Sequence, residues 1–359
     1  PARAGGGTST VIATGGLRGL NPDQTLILVN GKRRHKTSLI NAVSSLYNGS
    51  VPADMDMIPT SAIGRIEVLR DGAAAQYGSD AIAGVINIIL KDGDGGFLAG
   101  SAAQNFDRRD GELYVAQANY GLKVGDSGHL NLSLTSKSQE LSNRAVPVPS
   151  TTLIYPRLVP SGALDPREAT VDRLVTRNYG VLPQEAVQGA WNFTYETGGV
   201  EFYSFGTVSR RLTDLPFTFR APNNVNTLPQ VYPEGFRPDL VIREHDYEFA
   251  GGFRGEWHGW SWDLSTNFGR NHASENTSNT INASLGPTSP TNFYIGDLKS
   301  TEWDTSLDVT KALKLSGGSE LQVSFGLQQR REGYAIGAGE PLGYAAGPYV
   351  IPAVQPSSV

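Results

Sequence analysis

Residues 58–91, with the sequence IPTSAIGRIEVLRDGAAAQYGSDAIAGVINIILK, form the stretch from which the fold is most directly inferred. Apolar residues alternate with Arg65 and Glu67, which predicts a partly buried strand that ends at the turn signal Asp71-Gly72. Residues 85–90 are β-branched or apolar at nearly every position, which is typical of a strand buried on both faces. The stretch therefore predicts a compact α/β unit.

Two segments before this stretch extend the pattern: residues 17–20 read LRGL, and residues 24–35 read QTLILVNGKRRH. In this order and spacing, residues 17–91 resemble the plug domain of TonB-dependent outer-membrane receptors. The positions that carry the plug motif are Arg18, Gly19, Asn30, Gly31, Arg65, Glu67, Arg70, Gly72, Tyr77, Gly78, Gly84 and Asn87. The alternative is an unrelated soluble α/β domain with a coincidental glycine-rich stretch.

Composition excludes several classes of function. The net charge of −5 gives no global reason to expect nucleic acid as a partner. The absence of cysteine excludes thiolate metal sites, disulfides and a cysteine nucleophile. The histidines occupy separate segments without metal-ligand spacing, so we expect no metal site, no cofactor and no catalytic group. They are His35, His129, His245, His258 and His272.

The pattern changes after residue 96, from mixed α/β to segments of about ten residues in which apolar and polar side chains alternate. The clearest example is residues 321–328, where Leu, Val, Phe and Leu alternate with Gln, Ser, Gly and Gln. The sequence has no apolar run of the ~18 residues that a spanning helix needs. A period of two instead satisfies a barrel with lipid on one face and water on the other.

The connections favour a membrane barrel over a soluble sandwich. Short turns are predicted at residues 125–128, 197–199, 258–259 and 316–319, and they alternate with long connections at residues 141–186, 213–245 and 273–300. Short turns at one end and long loops at the other are the outer-membrane pattern. Aromatic residues near strand ends fit an interfacial girdle, although in a soluble β protein they would be core. They are Trp191, Tyr195, Trp257, Trp260, Trp262 and Trp303.

About nine strands are predicted between Phe97 and Tyr334. Bacterial single-chain barrels have even strand numbers, and a barrel that holds a plug needs about 22. We therefore expect residues 1–94 to be a plug that is incomplete at its start. Residues 95–359 are expected to be the first half or so of an antiparallel transmembrane β-barrel. The resemblance also implies a signal peptide and a TonB-box peptide before Pro1, neither of which is found in this sequence.

Two charged regions are candidates for function. The basic run at residues 32–36 follows an Asn-Gly turn and is expected to be a solvated turn, with an anionic-ligand contact as the less favoured alternative. Arg65, Glu67 and Arg70 are expected to pair with carboxylates of the barrel lumen rather than to bind ligand. The resemblance implies ligand contacts near the Arg-Gly motif and after the Asn-Gly turn. These map to Arg18, Arg33, Arg34, Tyr47 and Asn48.

The function implied by the resemblance is that of a receptor, not an enzyme, which binds a scarce solute outside and releases it inward. The energy comes from a TonB-type periplasmic protein. The expected cargo is a ferric siderophore, with oligosaccharide, cobalamin or another metal chelate as alternatives, and outer-membrane lipid surrounds the barrel. A passive porin and a soluble β-rich enzyme or carbohydrate-binding protein are the competing classes. Glu244 and Asp246 could form a glycosidase pair, but scattered carboxylates on solvated faces are commoner.

Overall fold

The chain folds into two sheets, one of four strands and one of nine. The structure is a computed structural model, and strands are numbered β1 to β13 in chain order. It describes residues 10–40, 48–70, 77–105, 107–158, 160–177, 179–224, 226–315 and 319–351. Among these residues, no helix is both long enough and apolar enough to cross a membrane.

The small sheet contains β1 (Thr25–Val29), β2 (Lys32–Arg33), β3 (Ile63–Leu69) and β4 (Gly84–Leu90). Its order is β2-β1-β4-β3, with β1 and β4 parallel and the outer pairs antiparallel. The prediction of a buried strand is confirmed by β4, which lies between two neighbours and is buried or half-buried throughout. Short 3-10 turns complete this unit, which we call the plug. They span Pro22–Gln24, Met55–Met57, Thr60–Ala62 and Ser79–Ala81.

The prediction that the strand around Ile66 is partly buried is wrong for most of its length. Only Ile63 is half-buried, and the following six residues of β3 are exposed, including Ile66 at 57% and Val68 at 48%. β3 occupies the sheet edge farthest from β2, where neither face is covered by the described residues. Burial at an edge strand depends on what packs beside the sheet, which the local alternation of residues does not determine.

The turn between β1 and β2 is a two-residue hairpin turn. Asn30 and Gly31 both have positive φ, 48° and 79°, as this tight turn requires. The Asn30 side chain also accepts a hydrogen bond from the N–H of Leu90 at 2.9 Å. The turn is thereby tied to the end of β4, and it reverses the chain so that β2 pairs antiparallel with β1.

The large sheet is antiparallel throughout, and each strand pairs with its neighbours in the sequence. We call it the barrel wall; β5 and β13 are its two edges, and the barrel is not closed. The nine predicted strands are confirmed. They are β5 (Gly95–Ala103), β6 (Leu113–Val124), β7 (Gly128–Gln139), β8 (Gln184–Thr197), β9 (Val200–Pro216), β10 (Asp239–Trp257), β11 (Trp260–Ser278), β12 (Phe293–Lys314) and β13 (Glu320–Ala338).

Alternate residues of the wall face opposite environments. On β7, Leu132 and Leu134 are 46% and 52% exposed, whereas the intervening Asn131, Ser133 and Thr135 are at most 9% exposed. The apolar side chains therefore point outward and the polar side chains point inward, against the plug. This is the inverse of a soluble β protein and is the arrangement of a transmembrane barrel.

Connections alternate in length as predicted, but two long ones are shorter than expected. Residues 217–238 join β9 to β10, and residues 279–292 join β11 to β12, because all four strands continue past the predicted ends. A spanning strand needs only ~9–11 residues. The five strands β9 to β13 have 17–22 residues. They therefore stay paired beyond the part of each strand that a membrane would cover. Most of the predicted turn at residues 316–319 lies outside the described residues.

The main core lies between the plug and the wall. Ile27, Val29 and Ile88 of the plug pack with Phe205 and Ala250 of the wall in one cluster. A second cluster near the long connections joins plug residues 11, 12 and 39 to wall residues 215, 240, 242 and 273. The plug therefore rests against the inner face of the wall. β5 starts at Gly95, and the limit between residues 94 and 95 stays a prediction as a domain boundary.

Candidate functional site: the interface between plug and wall

The site begins with residues 32–36, which we call the basic arm. After the Asn30-Gly31 turn, the arm runs along the inner face of β9 to β13, from the short-turn end toward the long-connection end. Lys32 pairs with Asp263 at 3.1 Å near the start of β11, and Lys36 reaches Glu332 on β13 at 3.1 Å. The arm is therefore in contact with the wall over its whole length.

Arg34 makes the most buried contacts of the basic arm. Its guanidinium lies 2.5 Å from Asp246 and 2.5 Å from Glu248, and it donates to the hydroxyl of Thr207 at 2.8 Å. The three charged side chains are 1%, 3% and 2% exposed. The nearby carboxylates keep the pKa of Arg34 above its ordinary value despite the cost of burial, so the guanidinium stays charged.

His35 and Ser38 extend this contact toward the long connections. The His35 Nε2 lies 2.9 Å from Asp246 Oδ2, and the Ser38 hydroxyl and N–H both donate to Asn271. His35 packs directly against Gly269, because a Cβ on that glycine would lie 2.2–2.6 Å from the imidazole. The wall is shaped to accept the histidine ring.

The expectation that the basic run is a solvated turn is therefore wrong. Arg34 and His35 are each 3% exposed and bind a row of inward-facing carboxylates on β10. Glu244, Asp246 and Glu248 occupy every second position of one strand and share its inner face. They are consequently neither solvated nor arranged as a glycosidase pair. Sequence reasoning missed one signal: three acidic residues at every second position of a single strand, which can bind a basic run elsewhere in the chain.

Arg211 forms a second buried ion-pair cluster, in which the arginine belongs to the wall. It lies 2.6 Å from Asp54 of the plug and 2.6 Å from Glu244 of β10, and all three side chains are at most 1% exposed. Asp54 also accepts hydrogen bonds from the N–H groups of Ala13 and Asp56, both at 3.0 Å. One plug carboxylate thus joins two segments of the plug to the wall.

Asp80 links the plug to β13. Its carboxylate lies 2.7 Å from Arg33 of the basic arm and 2.7 Å from Arg330 of the wall. Burial opposes ionisation, but the hydrogen bond from Arg330 and the charge of Arg33 outweigh it, so the pKa of Asp80 lies below its ordinary value. The carboxylate therefore remains ionised and bridges two arginines on different units.

Beside the two apolar clusters, the interface has polar contacts that use backbone groups of the plug. The Ser209 hydroxyl donates to the carbonyl of Met57 at 2.6 Å, and Gln188 donates to that of Asp56 at 2.5 Å. Ser61 lies 2.9 Å from Thr135. Water can replace these hydrogen bonds when the plug moves, whereas the two apolar clusters between plug and wall oppose separation.

The predicted ligand residues occupy different environments. Arg18 and Asn48 are exposed, Arg18 with a positive φ of 58°, whereas Tyr47 lies outside the described residues. Arg33 and Arg34 are turned toward Asp80 and the wall, and their role as ligand contacts stays a prediction. Their guanidinium groups are already bound to carboxylates of the protein itself.

Most of the motif residues hold the small sheet together. The Asn87 side chain accepts from the N–H of Gly31 at 3.0 Å and donates to Glu67 at 3.2 Å. Gly84 has a φ of 139° and packs against the carbonyl of Leu69, where a Cβ would lie 2.6 Å away. Gly19 and Gly78 also have positive φ, Tyr77 packs on a buried plug cluster, and Gly72 lies outside the described residues.

The expectation that the β3 charges pair with lumen carboxylates is not met. Arg65 pairs with Glu67 on its own strand at 2.8 Å, and the two side chains are 65% and 48% exposed. Arg70 is also exposed. Neither Arg65 nor Glu67 forms an ion pair with a wall strand in the described part of the chain, where the wall carboxylates bind the basic arm instead.

The long connections are tied to one another. Arg167 in residues 140–183 lies over the ring of Tyr155 at 4.1 Å and pairs with Glu234 of residues 217–238 at 3.1 Å. Hydrogen bonds from the Arg144 guanidinium and the Asn143 N–H lower the pKa of Asp110 to about 2. Neighbouring connections thus form a continuous outer rim above the plug.

The buried charges of this interface are paired within the protein. Among the described residues, no group of three or more His, Asp or Glu side chains could hold a metal ion. The buried carboxylates are bound to arginine, histidine or asparagine rather than directed at an open cavity. The arrangement can hold the plug in the lumen and can release it from the wall when these contacts break.

A sheet domain packed inside an outward-apolar β-barrel wall is the architecture of TonB-dependent outer-membrane receptors of Gram-negative bacteria. Residues 2–85 match the family described as TonB-dependent Receptor Plug Domain. The structure is similar to part of the siderophore receptor PirA from Acinetobacter baumannii, with a TM-score of 0.57 at 17% identity. That match covers 88% of this chain and 41% of PirA.

Curated relatives are transport receptors rather than enzymes. The Ferrienterobactin receptor of Escherichia coli (strain K12) is 44% identical over 81 residues, which cover 22% of this chain and 10% of the relative. Vitamin B12 transporter BtuB of Vibrio cholerae is 34% identical over 134 residues, which cover 36% of this chain and 19% of the transporter. The chain thus matches less than a fifth of the length of either protein.

Proposed function

We propose that this chain is the plug and part of the barrel of a receptor that imports a scarce solute across the outer membrane. The observation that carries the proposal is the plug itself, which packs against the inner face of the wall through buried ion pairs and hydrogen bonds. A passive porin would need an open lumen. A domain held there by buried ion pairs, hydrogen bonds and apolar contacts instead suits a gate that opens only when work is done on it.

The proposed cargo is a ferric siderophore. Support comes from the Ferrienterobactin receptor and from PirA, a siderophore receptor, among the proteins that this chain resembles. Cobalamin is the second candidate, because the aligned segment shared with BtuB is the longer one and extends beyond the plug. Oligosaccharides and other metal chelates remain alternatives within the same class of receptor.

The ligand is proposed to bind on the side of the long connections. Asn48 is exposed, and Leu39 packs among residues 215, 240 and 242 near the outer ends of β9 and β10. Arg18, Tyr47 and Asn48 therefore stay our proposed ligand contacts. We propose that Arg33 and Arg34 also hold the plug in place.

The proposed partner is a TonB-type periplasmic protein that pulls on the plug. The ion pairs of the basic arm and of Asp54 would have to break or shift for a solute to pass, which requires work. We therefore expect import, but not binding, to depend on this partner.

The test uses the full-length protein in cells that lack other receptors for the probe. Labelled ferric enterobactin and labelled cyanocobalamin are offered separately, with TonB present or deleted. One of the probes should bind in both strains and enter only when TonB is present. Import that is unaffected by TonB deletion would refute the proposal in favour of a passive pore.

A further inference from the structure

The chain contains two Asn-Gly dipeptides, Asn30-Gly31 and Asn48-Gly49. An asparagine followed by glycine is chemically labile, because the glycine nitrogen can attack the side-chain amide without obstruction by a Cβ. Asparagine is accordingly one of the thermolabile residue types. The two dipeptides share this chemistry but differ in their surroundings, so the structure decides which of them reacts.

Asn30-Gly31 is held by three hydrogen bonds. The Asn30 amide accepts from the N–H of Leu90 at 2.9 Å and donates to Asn192 at 3.1 Å. The Gly31 N–H donates to Asn87 at 3.0 Å. Both ends of the side-chain amide and the attacking nitrogen are therefore engaged. A reaction here would have to break these bonds and turn the side chain away from both the plug and the wall.

Asn48-Gly49 lies in an open turn. Both residues are exposed, and a Cβ on Gly49 would have no atom within 4 Å apart from its own chain neighbours. Neither residue forms a hydrogen bond with another described residue. Gly49 has a φ of 84°, which residues with a Cβ rarely adopt, so this turn favours the glycine that makes the asparagine labile.

We propose that Asn48-Gly49 is a site of spontaneous deamidation, which converts Asn48 to aspartate and isoaspartate. The Gly49 nitrogen loses its proton and bonds to the Asn48 Cγ, the bond from Cγ to Nδ2 breaks, and ammonia leaves with that proton. Water then opens the cyclic succinimide. Attack of water at Cγ gives aspartate, and attack at the main-chain carbonyl carbon gives isoaspartate. Water is the only co-reactant.

The modification changes the charge on the side of the long connections. A neutral amide becomes a carboxylate, and isoaspartate also lengthens the main chain by one methylene. Because Asn48 is one of the proposed ligand contacts, an aged receptor presents an added negative charge to the solute, and an anionic chelate should bind it more weakly. This consequence rests on the proposed function, whereas the reaction of the dipeptide does not.

The experiment follows the folded full-length receptor in detergent, incubated in mildly alkaline buffer made with heavy-oxygen water. Peptide mapping by mass spectrometry counts the new carboxyl groups, which carry the heavy oxygen, and separates aspartate from isoaspartate. Asn48 should react on the order of a hundredfold faster than Asn30, because each of the three hydrogen bonds at Asn30-Gly31 contributes roughly several-fold. Asn292 is exposed but followed by Phe293, so it is the matched control for exposure and should stay intact.

The same measurement on receptor unfolded in guanidinium chloride separates the effect of the fold from that of the sequence. Without the fold, Asn30 and Asn48 should react at rates within about twofold of each other, because the hydrogen bonds at Asn30 are then lost. The variant Asn48→Gln keeps an exposed amide but would need a larger ring, so the label at position 48 should disappear. Heat-modifiable gel migration checks that the unmodified receptor and the variant are folded.

Two results would overturn the proposal. One is an Asn48 that stays as intact as Asn30 in the folded receptor, and the other is an Asn30 that stays intact in the unfolded chain while Asn48 reacts. Binding of labelled ferric enterobactin to the Asn48→Asp and Asn48→Gln variants tests the consequence separately. Binding that is several-fold weaker for Asn48→Asp supports it. Equal binding would refute Asn48 as a ligand contact while the peptide map still decides the modification site.

Discussion

Replacing Arg34 with alanine should raise the population of plug that is detached from the wall. The increase should exceed that caused by replacing any exposed residue of the plug. The change leaves Asp246 and Glu248 buried without the guanidinium that lies 2.5 Å from each. Asp246 keeps His35 at 2.9 Å and Asn271 at 3.0 Å. Glu248 has no other hydrogen bond or ion pair among the described residues, so most of the penalty falls on that carboxylate.

The size of the effect follows from burial. Removing one partner of a buried ion pair costs about 3–5 kcal/mol, because an uncompensated charge stays in a low-dielectric site. At ~1.4 kcal/mol for each tenfold change, the population of undocked plug should rise on the order of a hundred- to a few thousandfold. Arg34→Ala combined with Glu248→Gln removes the uncompensated charge and should recover at least about tenfold of this loss.

The assay is cysteine labelling of the docked arm. Ser38 is fully buried against Asn271, and the 359 residues contain no cysteine. A Ser38→Cys background of the full-length receptor, free of other cysteines, reports undocking by its rate of reaction with a maleimide that cannot enter the closed interface. The control is Arg65→Ala, whose exposed pair contributes ~0–1 kcal/mol and should leave the rate nearly unchanged. Equal labelling rates in the Arg34→Ala variant and the unmodified background would refute the argument.

Three further results are expected. Gly269→Ala should loosen the plug by about 1–3 kcal/mol in the same labelling assay, because the new Cβ overlaps the His35 ring, whereas Gly100→Ala has room and should be neutral. The pKa of Asp110 is lowered from 3.8 to about 2, so its contact with the 140–183 connection should hold at about pH 4 and be lost only as the pH falls through about 2. Pepsin cleavage of the folded receptor at different pH values measures this loss. Asp110→Asn should abolish the pH dependence. Leu264→Arg on the lipid-facing surface should cost ~2–4 kcal/mol in barrel stability measured by urea unfolding, and an unaltered midpoint would contradict the assigned outward face.

Local chemistry was sufficient to predict several elements of this fold. The Asn30-Gly31 turn needs positive φ at both positions, and few other residue pairs accept it. The apolar run of β4 can be satisfied only between two neighbours, and the alternation on β7 requires two different environments. In each case the information lies within about ten residues, which is why the sequence alone was enough.

The docking of the basic arm could not be predicted in the same way. Arg34 binds Asp246, which is 212 positions away in the sequence. A basic run after a turn is solvated in most proteins, and only the register between β10 and the plug brings the acidic positions opposite to it. The exposure of β3 depends in the same manner on what covers the sheet edge. Contacts of long sequence separation, rather than local propensity, decide both outcomes.

The ligand residues depend on long-range contacts in the same way. Arg33 and Arg34 have the charge and the neighbourhood that an anionic ligand would use, but the wall carboxylates already occupy their guanidinium groups. Arg18 and Asn48 remain exposed and keep their proposed role. The residue type was therefore informative about anion binding, but not about whether the anion belongs to the protein or to the ligand.

The most direct test of the central claim is the ionic conductance of the full-length receptor in a planar lipid bilayer before and after deletion of residues 17–91. The intact receptor should be closed, because the plug packs across the inner face of the wall. The deletion should leave a folded barrel with a large conductance that does not discriminate between ions. A folded deletion variant with the same low conductance as the intact receptor would contradict the assignment of residues 17–91 as the plug.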